Sequence, residues 1–325
     1  MKRIAVVLVV FTLVTAIGFA GGQGEGGGAE AETFPNETIE IIAPAAAGGG
    51  TDQTARNLAR LAEEDLGVNI IVNNIPGGGN AIGITAGYQA APNGYRMVLG
   101  QVETVLLPLF DRVDWQADEF VPVMGVNAAS SALTVSADGP YETVEDFVQA
   151  AKENPGELSI GGSSPGTIWY LAAVGFAQAA DIDVNVVPYS GGAAPAIQDL
   201  LGGNLDAVTV GAGEVTDQVM AGELRTLAVM RDERFSELPD VPTMMELGYD
   251  ASFATWWALL APPDTPTERQ EILHEAFKAA YDSDEFQSFL EQQRFEPNYV
   301  APEDFDDFLE SEISKFEPVV DQLDL

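Results

Sequence analysis

Two glycine-rich loops hold the residue types in this chain that are best suited to binding an anion. The first covers residues 45–52 (AAAGGGTD) and the second residues 76–83 (PGGGNAIG), and each lies between an apolar run and residues at helical spacing. Glycine lets a ligand approach the backbone closely, and the first turn of a helix presents N–H groups that favour negative charge. Because neither loop contains Lys or Arg, we expect two helix N-termini to converge on one carboxylate.

The same loops also have structural interpretations. A glycine-rich turn can let a helix pack closely on a sheet, and neither loop has the ending of a Walker A phosphate-binding loop or the spacing of a dinucleotide-binding fingerprint. Asp52 and Arg56 stand four residues apart, as in a helical ion pair. Asp52 could instead face the ligand or orient the first loop.

A third loop, residues 161–167 (GGSSPGT), contains the pattern Gly-x-Ser-x-Gly of a hydrolase nucleophile. In that interpretation Ser164 attacks the substrate and His274 is the one histidine that could act as base. Pro165 argues against it, because the residue after the nucleophile must donate a backbone N–H to the oxyanion and proline has none. A secreted serine hydrolase using Ser164 therefore stays the alternative, and we expect the loop hydroxyls to bind an anion or cap a helix. These hydroxyls belong to Ser163, Ser164 and Thr167.

The composition favours a binding protein over an enzyme. The chain has 325 residues, with 14 Lys and Arg against 51 Asp and Glu, for a net charge of -37. Such a surface repels phosphate backbones, so we expect no nucleic-acid partner. The absence of cysteine excludes disulfides, thiol catalysis and Cys-ligated metals, and a single histidine leaves little material for a multi-His metal site. We expect no metal, no cofactor and no enzymatic activity.

The N-terminus has the pattern of a cleavable signal peptide. Lys2 and Arg3 precede an apolar run at residues 4–17, and small residues suit cleavage after Ala20. A transmembrane anchor is the alternative, although the run is short for a membrane span. Residues 21–33 are rich in Gly, Glu and Ala and are expected to form a flexible leader. The mature protein would then lie in the periplasm, where ATP- or NAD-dependent chemistry is not expected.

Short apolar runs alternate with helical patterns along the rest of the chain, which predicts an α/β fold of parallel sheets covered by helices. The expected strands are residues 38–44, 68–72 and 96–99 in a first series, and 158–160, 184–188, 205–210 and 224–230 in a second. Residues 121–135 and 253–261 lack a helical period and are interpreted as segments that cross between two domains. From residue 267 onward the chain is expected to be helical and acidic.

These patterns predict two parallel-sheet-containing domains joined by two crossing segments, which together would form a clamp. Domain 1 would comprise residues 34–128 and 259–325, and domain 2 residues 129–258. Ligands of open α/β sheets bind beyond the carboxyl ends of the strands. The glycine loops lie at these ends, so the ligand is expected between the domains.

A series of short segments, taken in order, resembles one known family. The segments are IIAP and AAGG (residues 41–44 and 46–49), NIPGGGN (74–80), APNGY (91–95), VPYSG (187–191), DLLGGNLD (199–206), LAV (227–229), LPDVPT (238–243) and WALLAP (257–262). They are similar to the Bug or TctC-like family, the periplasmic solute-binding proteins of tripartite tricarboxylate transporters. The resemblance covers about residues 34–318.

The resemblance implies a fold like that of periplasmic binding proteins, whose two α/β domains close in a Venus flytrap manner around a small organic carboxylate. The family is not enzymatic and delivers its ligand to membrane transporter subunits; a monomer is expected. The ligand-binding residues implied in domain 1 are Ala47, Gly48, Gly49, Asp52, Gly78, Gly79 and Asn80. Those implied in domain 2 are Ser163, Ser164, Thr167, Tyr189, Ser190 and Gly191.

Three residues depart from the family pattern. Many members have a polar residue where this chain has Val210 or Gly211, and Glu103 places an acid near the expected cleft. These positions would contact the distal part of the ligand, so a neutral, apolar or amine-bearing distal end is compatible with the sequence. Use in a sensory system, or a scaffold role without a ligand, is compatible with it too.

The excess of acidic residues predicts a protein adapted to saline surroundings. Removal of Lys2 and Arg3 with the signal peptide leaves 12 of the 14 basic residues against 51 acidic ones. Molar salt would screen their repulsion, since the Debye length is about 3 Å at 1 M; exposed acidic helices without special meaning are the alternative. We expect the protein to unfold at a higher temperature in molar salt than in dilute buffer, and greater stability in dilute buffer would contradict the idea.

Overall fold

The computed structural model describes residues 33–189, 192–321 and 323. These residues form ten strands and ten α-helices. The strands are β1 (Ile39–Ala43), β2 (Ile70–Asn74), β3 (Arg96–Gln101), β4 (Val121–Ser136), β5 (Ser159–Gly162), β6 (Asn185–Pro188), β7 (Ala207–Gly211), β8 (Leu224–Met230), β9 (Ala254–Ala261) and β10 (Glu296–Val300). The helices are α1 (Gly50–Leu66), α2 (Ala81–Tyr88), α3 (Glu103–Leu109), α4 (Val144–Glu153), α5 (Ile168–Ala179), α6 (Ala193–Leu201), α7 (Ala212–Met220), α8 (Thr267–Asp282), α9 (Asp284–Gln293) and α10 (Phe305–Val320).

The long strand β4 belongs to two sections of one mixed sheet. The strand order is β2-β1-β3-β9-β4-β7-β5-β6, and β8 and β10 also pair with β4. Strands β1, β2 and β3 are parallel to each other, as are β5, β6 and β7. Up to Ser130, β4 pairs with β9 and β10, and from Ser131 it pairs with β7 and β8. We call the part with β1–β3, β9 and β10 the first section and the part with β5–β8 the second section.

The local sequence explains how the first section positions its loops. Strand β1 is buried along nearly its whole length, as expected for a parallel strand covered on both faces. Helix α1 then buries Ala55, Leu58 and Ala62 at helical spacing. It ends at Gly67, whose φ of 68° lets its N–H donate to the Glu63 carbonyl. The first glycine-rich loop is thus fixed between a buried strand and an anchored helix.

Hydrophobic packing joins the two sections. One buried cluster contains Leu106 of α3, Phe147 and Phe176 from the second section, and Phe316 of α10. Helix α10 also contacts both α3 and α5. The described residues from Phe34 onward form one compact unit. The predicted α/β fold with crossing segments is confirmed, since β4 and β9 occupy the two segments, while the residue bounds of two domains stay a prediction.

The C-terminal region differs from its predicted all-helical character. Strand β10 interrupts the helices and pairs with β4, more than 160 residues earlier in the chain: the Ser130 hydroxyl donates to Glu296 across a sequence separation of 166 residues. Helix α3 has no counterpart in the sequence pattern, because its apolar residues and Pro108 lack a helical period. The predicted signal peptide lies outside the described residues, as does nearly all of the leader. Of the helices described, none is both long enough and apolar enough to span a membrane.

Candidate functional site

A cavity of about 520 Å³ lies between the two sections, where the parallel strands end. Gly50 at the start of α1 and Gln101 and Glu103 after β3 line it from the first section. The residues that line it from the second section include Ser163, Ser164, Thr167, Tyr189, Gly211 and Glu214. Thr255 and Trp257 of β9, and Arg294 and Phe295 beyond α9, complete much of the wall. The cavity therefore lies at the sheet edge where open α/β folds bind ligands.

The first loop is held in shape by Asp52. Its Oδ2 accepts the Gly48 N–H at 2.9 Å, and its Oδ1 accepts the Arg56 Nε–H at 2.9 Å. Arg56 also donates to Asn74 Oδ1 at 3.0 Å, and Asn74 donates to the Ala45 carbonyl at 3.1 Å. Burial raises the pKa of Asp52, but hydrogen bonds from Arg56 and Gly48 outweigh it, and the net pKa is lowered. Both the helical ion pair and the loop-orienting role of Asp52 are therefore present.

The predicted residues of the first loop are exposed beside the cavity. Ala47, Gly48 and Gly49 are open to solvent, and the next residue, Gly50, lines the cavity. Trp257, whose ring lines the cavity, donates its Nε1–H to Thr51 at 2.9 Å. No side-chain cap occupies the N-terminus of α1 in the described structure. The backbone donors of this helix end are therefore available to a ligand.

The second loop combines exposed turn residues with a packing glycine. Gly78 and Gly79 are exposed, both with φ of 61°, and Asn80 caps α2 with φ of 71°. None of the three lines the cavity among the described residues, although Asn80 lies beside Glu103, which does. Gly83 is different, because a Cβ there would lie 2.5 Å from the Ile75 carbonyl oxygen. The loop therefore serves close helix packing as well as presenting open backbone.

Hydroxyl groups of the third loop form a short relay at the cavity wall. Thr167 donates its O–H to the Ser164 carbonyl at 2.6 Å, so Ser163 must donate to Thr167 Oγ1 across the 2.5 Å between their oxygens. Both hydroxyl protons are then used within the loop, and Ser163 can donate to a ligand only by giving up its bond to Thr167. All three residues line the cavity, and their binding of an anion stays a prediction.

The histidine required by the hydrolase alternative is used elsewhere. His274 Nδ1 lies 2.8 Å from the Val123 carbonyl oxygen, so this nitrogen carries the proton. Its Nε2 accepts from the Tyr299 hydroxyl at 3.4 Å. Neither partner belongs to the third loop, and the arrangement gives Ser164 no base from this residue.

Tyr189 contributes its ring rather than its hydroxyl to the cavity. Its O–H donates to Asp199 Oδ2 at 2.6 Å. Burial and the Asp199 carboxylate raise the pKa of Tyr189 to about 12, so the hydroxyl stays protonated and committed. The next two predicted residues, Ser190 and Gly191, lie outside the described residues, while Gly192 lines the cavity.

Two carboxyl groups line the cavity from opposite sections. Burial raises the pKa of Glu103, against the opposing effects of its own backbone amide and the Asn80 side chain. Glu214 is accessible from the cavity, yet the surrounding protein raises its pKa by desolvation, against a hydrogen bond from the Gly211 N–H at 2.9 Å. In the described part of the chain, no group of three or more His, Asp or Glu is placed to hold a metal ion.

The Glu103→Gln variant should lose less stability than the parent as pH rises. Because folding raises the pKa of Glu103, the unfolded chain releases this proton first. The contribution of Glu103 to the free energy of unfolding is then largest below the ordinary pKa of 4.5, and it falls as pH rises from there to the raised pKa. Urea unfolding of both proteins from about pH 4 to about pH 8 measures this, and equal slopes of free energy against pH would contradict it.

Arg294 connects the two sections at the cavity wall. It follows α9, and its Nη2 lies 2.5 Å from Asp217 Oδ1 of α7. Its Nε donates to Glu237 Oε2 at 2.9 Å. Because two carboxylates already pair with this guanidinium, its charge is largely neutralised.

Glu214, Arg294 and Phe295 are cavity residues that the sequence analysis did not find. Glu214 could have been found, because it lies four residues after the predicted strand at residues 205–210. Arg294 and Phe295 carry no local signal, since they end a helix in an acidic region. They reach the cavity only because β10 pairs with β4.

Comparisons with known proteins match most of the chain. The model of the family described as tripartite tricarboxylate transporter family receptor, TctC, matches residues 54–325. BugT of Bordetella pertussis is 30% identical over 295 residues, covering 89% of this chain and 90% of BugT. A TctC solute-binding protein from Polaromonas, solved without ligand, is 33% identical with a TM-score of 0.81, covering 90% of this chain and 100% of that one. MatC from Rhodopseudomonas palustris, solved with bound malate, is 25% identical with a TM-score of 0.74, covering 88% of this chain and 100% of MatC.

Proposed function

The chain belongs to the TctC family of tripartite tricarboxylate transporter receptors, and we propose that it captures a small organic carboxylate in the cavity between its two sections. It acts without catalysis and passes the ligand to membrane transporter subunits. MatC, which is similar along most of the chain and was solved with bound malate, supports a carboxylate as the ligand.

The placement of a helix N-terminus opposite a pair of hydroxyls carries this proposal. Gly50, the first residue of α1, lines the cavity from the first section, and Ser163 and Thr167 line it from the second. Unpaired N–H groups at a helix start suit a carboxylate, and Ser163 would donate to it by giving up its hydrogen bond to Thr167. The exposed first and second loops would supply further donors when the ligand binds, including the Ala47 N–H and the Asn80 side chain, while the Gly48 and Gly49 N–H groups already donate to Asp52 and to the Ala46 carbonyl.

The same proposal gives the protein a periplasmic location. The N-terminal 20 residues would direct export and be removed, and residues 21–33 would form the leader. TctC solute-binding proteins work outside the cytoplasmic membrane, where a monomer would meet both its ligand and its membrane partners. Sequencing the N-terminus of the protein recovered from the producing cells tests this, and an intact Met1 on the exported protein would contradict it.

A thermal-shift screen tests the binding function. The protein is unfolded and refolded to remove bound ligand, then mixed with mono-, di- and tricarboxylates, amino acids and aromatic acids in molar salt. A ligand at 100 times its dissociation constant stabilises by about 2.7 kcal/mol, which shifts the unfolding temperature by several degrees. We expect at least one of these carboxylates to raise the unfolding temperature, whereas no shift with any compound of the panel would contradict the proposal.

A further inference from the structure

We infer that the ligand carries a protonated amine away from its carboxylate, and that Glu103 and Glu214 bind this amine. The inference rests on the proposed carboxylate-binding function and names the class of carboxylate. It follows from the charges that line the cavity and from a buried carboxyl oxygen that has no partner.

Glu103 is a buried carboxyl that is not fully paired. Its side chain lines the cavity and the residue is only 7% exposed. Its Oε2 has no hydrogen-bond partner among the described residues. Buried polar atoms are nearly always paired, and an unpaired carboxylate away from water is costly. This oxygen is covered in the structure, and a ligand group that donates hydrogen bonds would satisfy it once the Glu103 side chain turns toward the cavity.

Glu214 faces the same cavity from the other section. Its Oε2 accepts the Gly211 N–H, and the carboxyl stays accessible from the cavity. Desolvation by the surrounding protein raises the pKa of both glutamates, so a cation between them would favour their ionised forms. An ammonium group offers three donors and a positive charge, and its hydrogen bonds to carboxylates are charge-assisted.

A second carboxylate on the ligand would lack a free cation at this end of the cavity. Arg294 is the one basic side chain among the described lining residues, and it already pairs with Asp217 and Glu237. Gln101 Nε2 is buried without a partner and could donate to a carboxylate oxygen. One neutral amide would have to offset two glutamates, so the charge around this part of the cavity favours an amine over a second carboxylate on the ligand.

Matched ligand sets separate the amine from the alternatives. Refolded, ligand-free protein is titrated by calorimetry with γ-aminobutyrate, butyrate and succinate, and then with δ-aminovalerate, valerate and glutarate. Within at least one set the amino compound should bind about tenfold or more tightly than the other two. Succinate and glutarate binding as tightly as the amino compounds would overturn the inference and leave the proposed function standing. No binding of any of the six would also overturn it, and the broader screen would then decide on the proposed function.

Two variants assign the preference to the two glutamates. Glu103→Gln and Glu214→Gln should each reduce the preference for the amino compound over its dicarboxylate about tenfold. Affinity for butyrate or valerate should change little, because these ligands lack the amine. Glu271→Gln, an exposed position on α8, is the matched control and should change neither. An unchanged preference in both cavity variants would overturn the inference, and Glu214→Gln provides the test alone if Glu103→Gln does not fold.

Discussion

Replacing Asp52 with alanine should weaken carboxylate binding about tenfold or more, because two hydrogen bonds that involve charged groups are lost and about 1.4 kcal/mol corresponds to a factor of ten. The Asp52 carboxylate accepts hydrogen bonds from the Gly48 N–H and from Arg56. Arg56 also donates to the Asn74 side chain, which in turn donates to the Ala45 carbonyl. Without this side chain the first loop loses the contacts that hold its backbone donors in place. Calorimetric titration with the best ligand from the screen measures the effect.

Two further variants test whether the affinity depends on the Asp52 hydrogen bonds in the first loop or only on the negative charge of the helix. Asp52→Asn keeps the shape and one acceptor oxygen, so it should retain more affinity than Asp52→Ala. Asp65→Ala, at an exposed position on the same helix, should leave affinity unchanged. If Asp52→Ala binds as tightly as the parent, the first loop does not hold the carboxylate.

Replacing Gly83 with alanine should cost about 2 kcal/mol of stability, since overpacking costs up to about 3 kcal/mol and the better helix propensity of alanine returns roughly 1 kcal/mol. A Cβ at Gly83 would lie 2.5 Å from the Ile75 oxygen and 2.6 Å from Pro44 Cα. Both are backbone atoms of the residues just before the two glycine-rich loops, so neither can move aside by a side-chain rotation. Urea unfolding measures the loss.

Gly49→Ala is the matched control for Gly83→Ala. Gly49 has φ of -79°, and a Cβ there would meet only the Ala46 oxygen, at 3.5 Å. Stability should then stay within about 0.5 kcal/mol of the parent. Equal stability of the two variants would contradict the packing role of Gly83.

Sequence reasoning works best here where a pattern is local. The apolar run at residues 224–230 coincides with β8, and the loops before α1, α2 and α5 lie where glycine predicted them. The resemblance to TctC proteins is confirmed by the family match over residues 54–325, which includes every resembling segment from residue 74 onward. These features depend on residue type and spacing within a few neighbours, which the sequence displays directly.

The rest of the cavity depends on contacts that no local pattern marks. Gly79 and Gly83 are the same residue type four positions apart, yet a Cβ at Gly79 would meet nothing within 4 Å while one at Gly83 would strike backbone. Arg294 lies at the cavity wall because the next strand, β10, pairs with β4. This pairing joins parts of the chain more than 160 residues apart, and the hydrogen bond between Ser130 and Glu296 spans 166 residues. Packing and long-range pairing decide such positions, and only the folded chain displays them.

A crystal structure of the refolded protein with the best carboxylate from the screen tests the central claim most directly. We predict the carboxylate within hydrogen-bonding distance of the backbone N–H of Ala47 or Gly50, with the ligand body against Ser163 or Thr167. A carboxylate bound outside the cavity, or inside it without contact to the first loop and the third-loop hydroxyls, would contradict the account.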